Sequence, residues 1–202
     1  MAYIGKSPAV AALTASDITD GIISNAKLAQ DIISADTALA AIPDTTDEFL
    51  ISNSGVLNRI DAQFFQNTPA FLAYASGAQT YSTATKITIN TEVYDSDGKF
   101  DNSSNYRFTP TVAGKYVVYG QIYITSPGTN LTMKALIYKN GSSVAVGDQN
   151  SAVNRDQTVN VIATVDLDAD DYVELYGVNS ASKDSVAGSA NTYFGAHKLI
   201  GT

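Results

Sequence analysis

The chain has 202 residues, of which 45% are hydrophobic and 16% charged, enough apolar material for one core of ordinary size plus an appendage. Twenty acidic against 12 basic side chains give a net charge of -8, which repels phosphate backbones and anionic lipid surfaces and argues against a nucleic-acid partner. With no cysteine there is no disulfide framework, thiolate metal site or cysteine nucleophile, and the single histidine, His197, leaves little for imidazole chemistry.

At the N-terminus, MAYIGKSPAVAALTAS holds an apolar patch broken by Lys6, Ser7 and Pro8, too short for a signal peptide, and no run approaches the length needed for membrane insertion. The expectation is synthesis in a host cytoplasm without a signal peptide, with release by another route such as lysis. The segments DITDGIIS (17–24) and QDIISAD (30–36) read as two imperfect copies of one short unit. Ile18, Ile22, Ala26, Ala29 and Ile33 fall at spacings of three and four, the pattern of a short amphipathic helix, although Gly21 and the β-branched pairs oppose it. Such a stripe is buried only by copies of itself in a slender trimeric stalk; the alternative is a solvated linker.

Pro43 ends this stretch, and DEFLISNSGVLNRIDA reads as two strands joined at Asn53-Ser54-Gly55. Both strands are too apolar for a lone hairpin in water. The expected organisation is a stalk over 1–42, a hairpin collar over 43–68 and a globular head over 69–202. Within the head, KITIN, YRFTP, KYVVYGQIYIT, LTMKALIYK, QTVNVIATVDL, DYVELYGV and TYFGAHKLI follow a period of two, with Asn140-Gly141 as a tight turn. Seven or more short strands and no convincing helix predict an all-β sandwich or jelly roll.

Several groups of residues are then specific. Phe71, Ala73, Ser76, Gly77, Gln79 and Thr80 open the head, and Gly98, Phe100 and Asp101 follow. Phe108, Thr109, Pro110, Gly114 and Tyr116 lie in YRFTPTVAGKYVVYG, and Phe194, Gly195 and Leu199 close the chain. In this order they resemble the globular head of complement first component, subcomponent q, within the tumour-necrosis-factor superfamily. The pattern departs at Val118, where an aromatic is usual, at one residue missing before Pro110, and at Asp170, where glycine is usual. The resemblance implies a mostly β, ten-stranded jelly roll that forms a compact homotrimer with aromatic residues along the threefold axis. Tyr116, Tyr119, Tyr123, Tyr138 and Phe194 are the candidates for that axis, with the jelly-roll core as the other destination for the tyrosines. YIGKSP, the DGIISNAKLAQDIIS units and the hairpin resemble attachment and stalk regions of bacteriophage tail fibres. That likeness implies virion attachment through Tyr3, Ile4, Gly5 and Pro8 to another virion structural protein.

Asp166, Asp168, Asp170 and Asp171 are the candidates for paired-carboxylate catalysis, against a solvated turn, which is the commoner use of such a run. No enzyme activity and no cofactor are expected. Calcium is the one metal with candidates, at Asp95, Asp97 and Asp101 before the Gly98 turn and at Asp168, Asp170 and Asp171, against a plain polar turn. Receptor contacts are expected in the loops Ser126–Asn130, Gly147–Gln157 and Asn179–Ala190. The reading is a homotrimeric virion fibre whose head recognises a host-surface glycan or protein. The alternatives are a purely architectural fibre or tail subunit, and a non-phage extracellular binding module.

Overall fold

The computed structural model describes residues 43, 44, 46–62, 65 and 68–199, with 14 and 41 as isolated positions. The stalk helix and the attachment residues Tyr3, Ile4, Gly5 and Pro8 lie outside the described residues. The chain divides into two compact units, Met1–Phe65 and Gln66–Thr202.

In the first unit, β1 (Glu48–Asn53) and β2 (Val56–Asp61) form the expected antiparallel hairpin, with Asn53 opposite Val56. Ser54 and Gly55 both adopt positive φ (52° and 85°), as a two-residue hairpin turn of the right-handed twist requires. Arg59 bridges Glu48 across the pair at 2.9 Å, and Phe65 packs edge-on against Phe49.

The second unit contains β3 (Ala70–Tyr74), β4 (Thr80–Tyr81), β5 (Thr85–Lys86), β6 (Thr91–Asp95), β7 (Phe100–Asp101), β8 (Arg107–Phe108), β9 (Gly114–Ile124), β10 (Leu131–Lys139), β11 (Ser142–Ser151), β12 (Gln157–Leu167), β13 (Val173–Asn179), β14 (Lys183–Asp184) and β15 (Tyr193–Lys198). Five of them pair in the order β12-β9-β15-β3-β6. A second sheet runs β11-β10-β13-β8-β7, with β5 also paired to β13. The pairings in both sheets are antiparallel. The result is a jelly-roll sandwich.

Alternation along the strands decides which side chains fill it. Phe71 and Ala73, Tyr116, Val118, Ile122 and Ile124, Val159 and Val161, and Phe194 and Ala196 point inward from the first sheet. Met133, Ala135, Ile137, Val173 and Leu175 meet them from the second. At the centre Phe71 stacks between Phe100 and Phe108, with ring centroids at 4.5 and 4.7 Å, and Phe194 meets it edge-on at 5.3 Å. Tyr116 and Phe194 are therefore consumed inside one chain: both are fully buried, and the Tyr116 hydroxyl donates to the Val112 carbonyl at 2.6 Å. Of the two destinations weighed for Tyr116, the core is the one it occupies, and Phe194, placed on the axis by the resemblance, joins it there.

Turn chemistry explains where the chain reverses. Asn140 and Gly141 adopt positive φ (50° and 78°) between Lys139 and Ser142, and the Asn140 side chain also bonds Asp171 and the Tyr172 amide. Asp170 is not among the positive-φ residues, so the turn before β13 does not need the glycine that is missing there. Asp168 and Asp171 close it instead, with a backbone bond and a side-chain bond between them.

Two expected loops differ. β11 continues to Ser151, so the loop expected over Gly147–Gln157 shrinks to 152–156. Its Ser, Asn and Gly composition reads as loop, but pairing with Leu131–Lys139 supplies the backbone ladder that composition alone does not reveal. The segment Asn179–Ala190 is stitched down, with β14 on β4, Ser185 on Gln79, Val186 on Tyr123 and Gly188 on Ala75.

Two substitutions test this packing. Phe71→Ala is expected to destabilise the head by about 3–5 kcal/mol. At Gly147 an added Cβ would sit 1.8 Å from the Asn160 carbonyl oxygen, so Gly147→Ala is expected to lower the urea midpoint clearly although the position lies in an edge strand. A midpoint unchanged in both variants would contradict this core.

Candidate functional site

The chain enters the head at Ala70, which pairs with His197, which pairs with Val117. That end also holds Gly114 and Leu167; the opposite end holds Tyr74, Tyr193, Ile124 and Gln157. All three loops expected to touch a receptor lie at the opposite end, remote from chain entry. They are braced to one another or to their neighbours: the Asp156 carboxylate accepts from the Tyr123 hydroxyl at 2.7 Å and the Ser126 amide at 3.0 Å, and Asn154 accepts from the Gly128 amide at 2.8 Å. The Tyr123 bond raises that phenol above its ordinary value and lowers Asp156, which the Ser126 amide lowers further.

The five-stranded sheet carries a second feature, on the face turned away from the core. Alternation that sends Tyr116, Val118 and Ile122 inward sends Val117, Tyr119, Gln121 and Tyr123 outward. Beside them on β15 stand Tyr193, Gly195 and His197, and on β3 Leu72 and Tyr74. Tyr119 lies across β15 at Gly195, where a Cβ would come within 2.6 Å of its ring and hydroxyl. Tyr193 and His197 flank it, with ring centroids at 6.4 and 6.3 Å. Burial pushes the Tyr119 phenol up to about 12, and the neighbouring Tyr94 phenol adds to the shift. At one edge of the sheet Ile162 is 70% exposed, and at the other Val93 and Tyr94 are also exposed. This is a large aromatic face for a surface to present to water.

Of the five residues considered for a threefold axis, the structure brings Tyr119 and Tyr123 onto this face. Tyr138 lies elsewhere, on the outer face of the second sheet, stacked on Tyr176. Sequence pattern alone does not divide Tyr74, Tyr94 and Tyr193 between core and surface, nor does it mark Val117 or Ile162. Parity counted from Val118 and Ile122 places Val117 outward; cross-strand register then adds the rest.

Three of the acidic candidates, Asp95, Asp101 and Asp171, accept from N–H groups. Asp95 accepts from the Phe100 amide at 2.7 Å, and Asp97 from the Ser96 hydroxyl. Asp101 accepts from Ser103, Ser104 and Asn105, and these bonds, the Ser104 and Ser103 amides foremost, hold it far below the ordinary carboxylate range. Asp171 is held at about 2 by Lys139 first, 2.7 Å away, then by the Asp168 amide and Asn140. Among the described residues no three acidic or histidine groups converge as a metal site would require.

No family model matches the chain. In an alignment of 99 positions that covers 45% of the chain, it is 33% identical to the phage-like element PBSX protein XkdV of Bacillus subtilis strain 168, of which the match spans 14%. Among solved structures, murine APRIL at pH 5.0 superposes with a TM-score of 0.55 at 12% identity, over 66% of this chain and all of that one. Eiger TNF from S. frugiperda gives 0.50 at 16% identity, over 67% of this chain and 94% of that one. The globular domain of zebrafish complement 1qA gives 0.49 at 16% identity, over 66% and 98%. The superpositions on APRIL and Eiger show that the head has the jelly-roll fold of the tumour-necrosis-factor type.

The carboxylate bonds set an acid limit. Asp101, Asp156 and Asp171 are more acidic folded than unfolded, so they stabilise the head above about pH 4, and that contribution is lost as pH falls through their folded values. The urea midpoint is expected to hold from about pH 7 to 5 and to fall between about pH 4 and 2. Asp171→Asn should lower it at neutral pH and flatten its fall in acid. An acid-insensitive midpoint would contradict these assignments.

Proposed function

We propose that this chain is a non-enzymatic, homotrimeric fibre protein of a bacteriophage particle. Its N-terminal segment, with Tyr3, Ile4, Gly5 and Pro8, attaches to another virion protein, and its head contacts the host surface. One observation carries the trimer: the aromatic outer face of the five-stranded sheet. Among the described residues of the head no strand layer lies above Leu72, Tyr74, Tyr119, Tyr123 and Tyr193, and the natural cover is the same face of neighbouring copies, with Ile162 reaching across from the sheet edge.

The hairpin supports the same reading. Leu50 is 71% exposed, Val56, Phe49 and Phe65 are also exposed, and an isolated two-stranded hairpin is marginal in water. Copies packed side by side would cover these groups. The stretch shared with a phage-like element protein supports the virion setting. Host contact through three heads needs only weak individual sites, because effective concentration multiplies them.

Ile162→Arg places a charge in the proposed subunit contact without touching the core. It is expected to shift the protein toward monomer at low concentration while leaving the far-UV spectrum unchanged. Deleting residues 1–42 is expected to leave a folded head absent from purified particles. A truncated chain that still enters particles would overturn the attachment role.

A further inference from the structure

The second sheet's outer face is on the opposite side of the sandwich from the proposed subunit contact and remains available in that assembly. Register aligns Tyr138 on β10 with Glu174 on β13 and Arg107 on β8, and in the next row Leu136, Tyr176 and Lys86. Tyr138 and Tyr176 stack with centroids 4.0 Å apart and planes 20° from parallel. Arg107 lies over the Tyr172 ring at 4.4 Å. All four of these side chains are half-buried, held in place by their neighbours yet open on one side.

The charges on this face are not balanced by their nearest neighbours. Glu174 stands directly opposite Arg107, yet its carboxylate goes to Lys86 at 2.6 Å and its side chain is only 4% exposed. Lys86 also donates to the Asn105 carbonyl. Asp101, opposite Arg107 on the other side, gives its oxygens to Ser103, Ser104 and Asn105. Asp171 is taken by Lys139, Asn140 and the Asp168 amide. Among the described residues Arg107 is in no ion pair, so a planar guanidinium, fixed on an aromatic ring, keeps its donors for something else.

We infer that this face binds a saccharide carrying a carboxylate, as a uronic or sialic acid does. A guanidinium held in one plane matches a carboxylate in two-point contact. Tyrosine rings present apolar edges and hydroxyls together, which suits the C–H and O–H surfaces of a sugar ring. A simple carboxylate would leave the tyrosine stack unused, and a neutral sugar would leave Arg107 unpaired. The inference rests on the host-recognition part of the proposed function and moves the contact from the far-end loops to the flank of the head.

Calorimetric titration of the full-length protein with oligogalacturonate, an oligosaccharide ending in N-acetylneuraminate, and a neutral maltooligosaccharide tests it. At least one acidic sugar is expected to bind saturably and the neutral one not to. Arg107→Gln should weaken the acidic sugar by about tenfold or more, and Tyr176→Ala should also weaken it, with the solution mass of both variants unchanged. Failure of both acidic sugars to bind, equal binding of the neutral sugar, or binding indifferent to Arg107→Gln would each overturn the site. With a normal oligomer, such a result leaves the fibre standing. Acidic-sugar binding through this face by a protein never found in particles would overturn the fibre instead.

Discussion

A β-strand has two faces, and β9 loads both of them. Gly114–Ile124 is paired along its length with β12 on one side, and over Tyr116–Gln121 with β15 on the other, so its middle lies between two ladders. Tyr116, Val118, Ile122 and Ile124 go into the sandwich, while Val117, Tyr119, Gln121 and Tyr123 go outward. The inward set joins the phenylalanine cluster that holds the two sheets together. The outward set is covered in part by its surroundings: Tyr119 sinks onto Gly195 of β15, and Gln121 donates to the carbonyls of Ala190 and Asn191 in the turn before that strand. The demand for a further layer over the outward set is what connects the fold to the proposed assembly.

Much of the fold was legible because its signals are local. Phe108, Pro110, Gly114 and Tyr116 mark the entry to β9, and Asn140-Gly141 and Ser54-Gly55 mark turns that need positive φ. Period-two patterning needs no knowledge of partners. The destinations of individual tyrosines were less legible, since Tyr116 and Tyr119 are the same residue type three positions apart on opposite faces. Only parity along the strand, anchored by Val118 and Ile122, separates them. Tyr138 was harder still: its strand carries large residues on both sides, and its stack with Tyr176 depends on the register between β10 and β13.

Polar segments misled in a different way. Gly147–Gln157 has loop composition, yet half of it is the edge strand β11, where Gly147 lets the Asn160 carbonyl approach. The aspartate clusters at 95–101 and 168–171 look like ligand sets in sequence because calcium loops and tight turns draw on the same residues. In the structure the oxygens of Asp95, Asp101 and Asp171 meet backbone amides, Asn105, Asn140 and Lys139, bonds that hold chain reversals in the head. The stability of those turns and the acid sensitivity expected of the protein have one cause.

The proposed fibre depends on the outward face of the five-stranded sheet being covered by copies of itself. The most direct measurement is the mass of the full-length protein in dilute neutral solution by light scattering. Three times the 21.3 kDa of one chain is the predicted result. A stable monomer at 21.3 kDa would show that Tyr119, Tyr123 and Ile162 face water in the working protein, and would contradict the trimeric fibre.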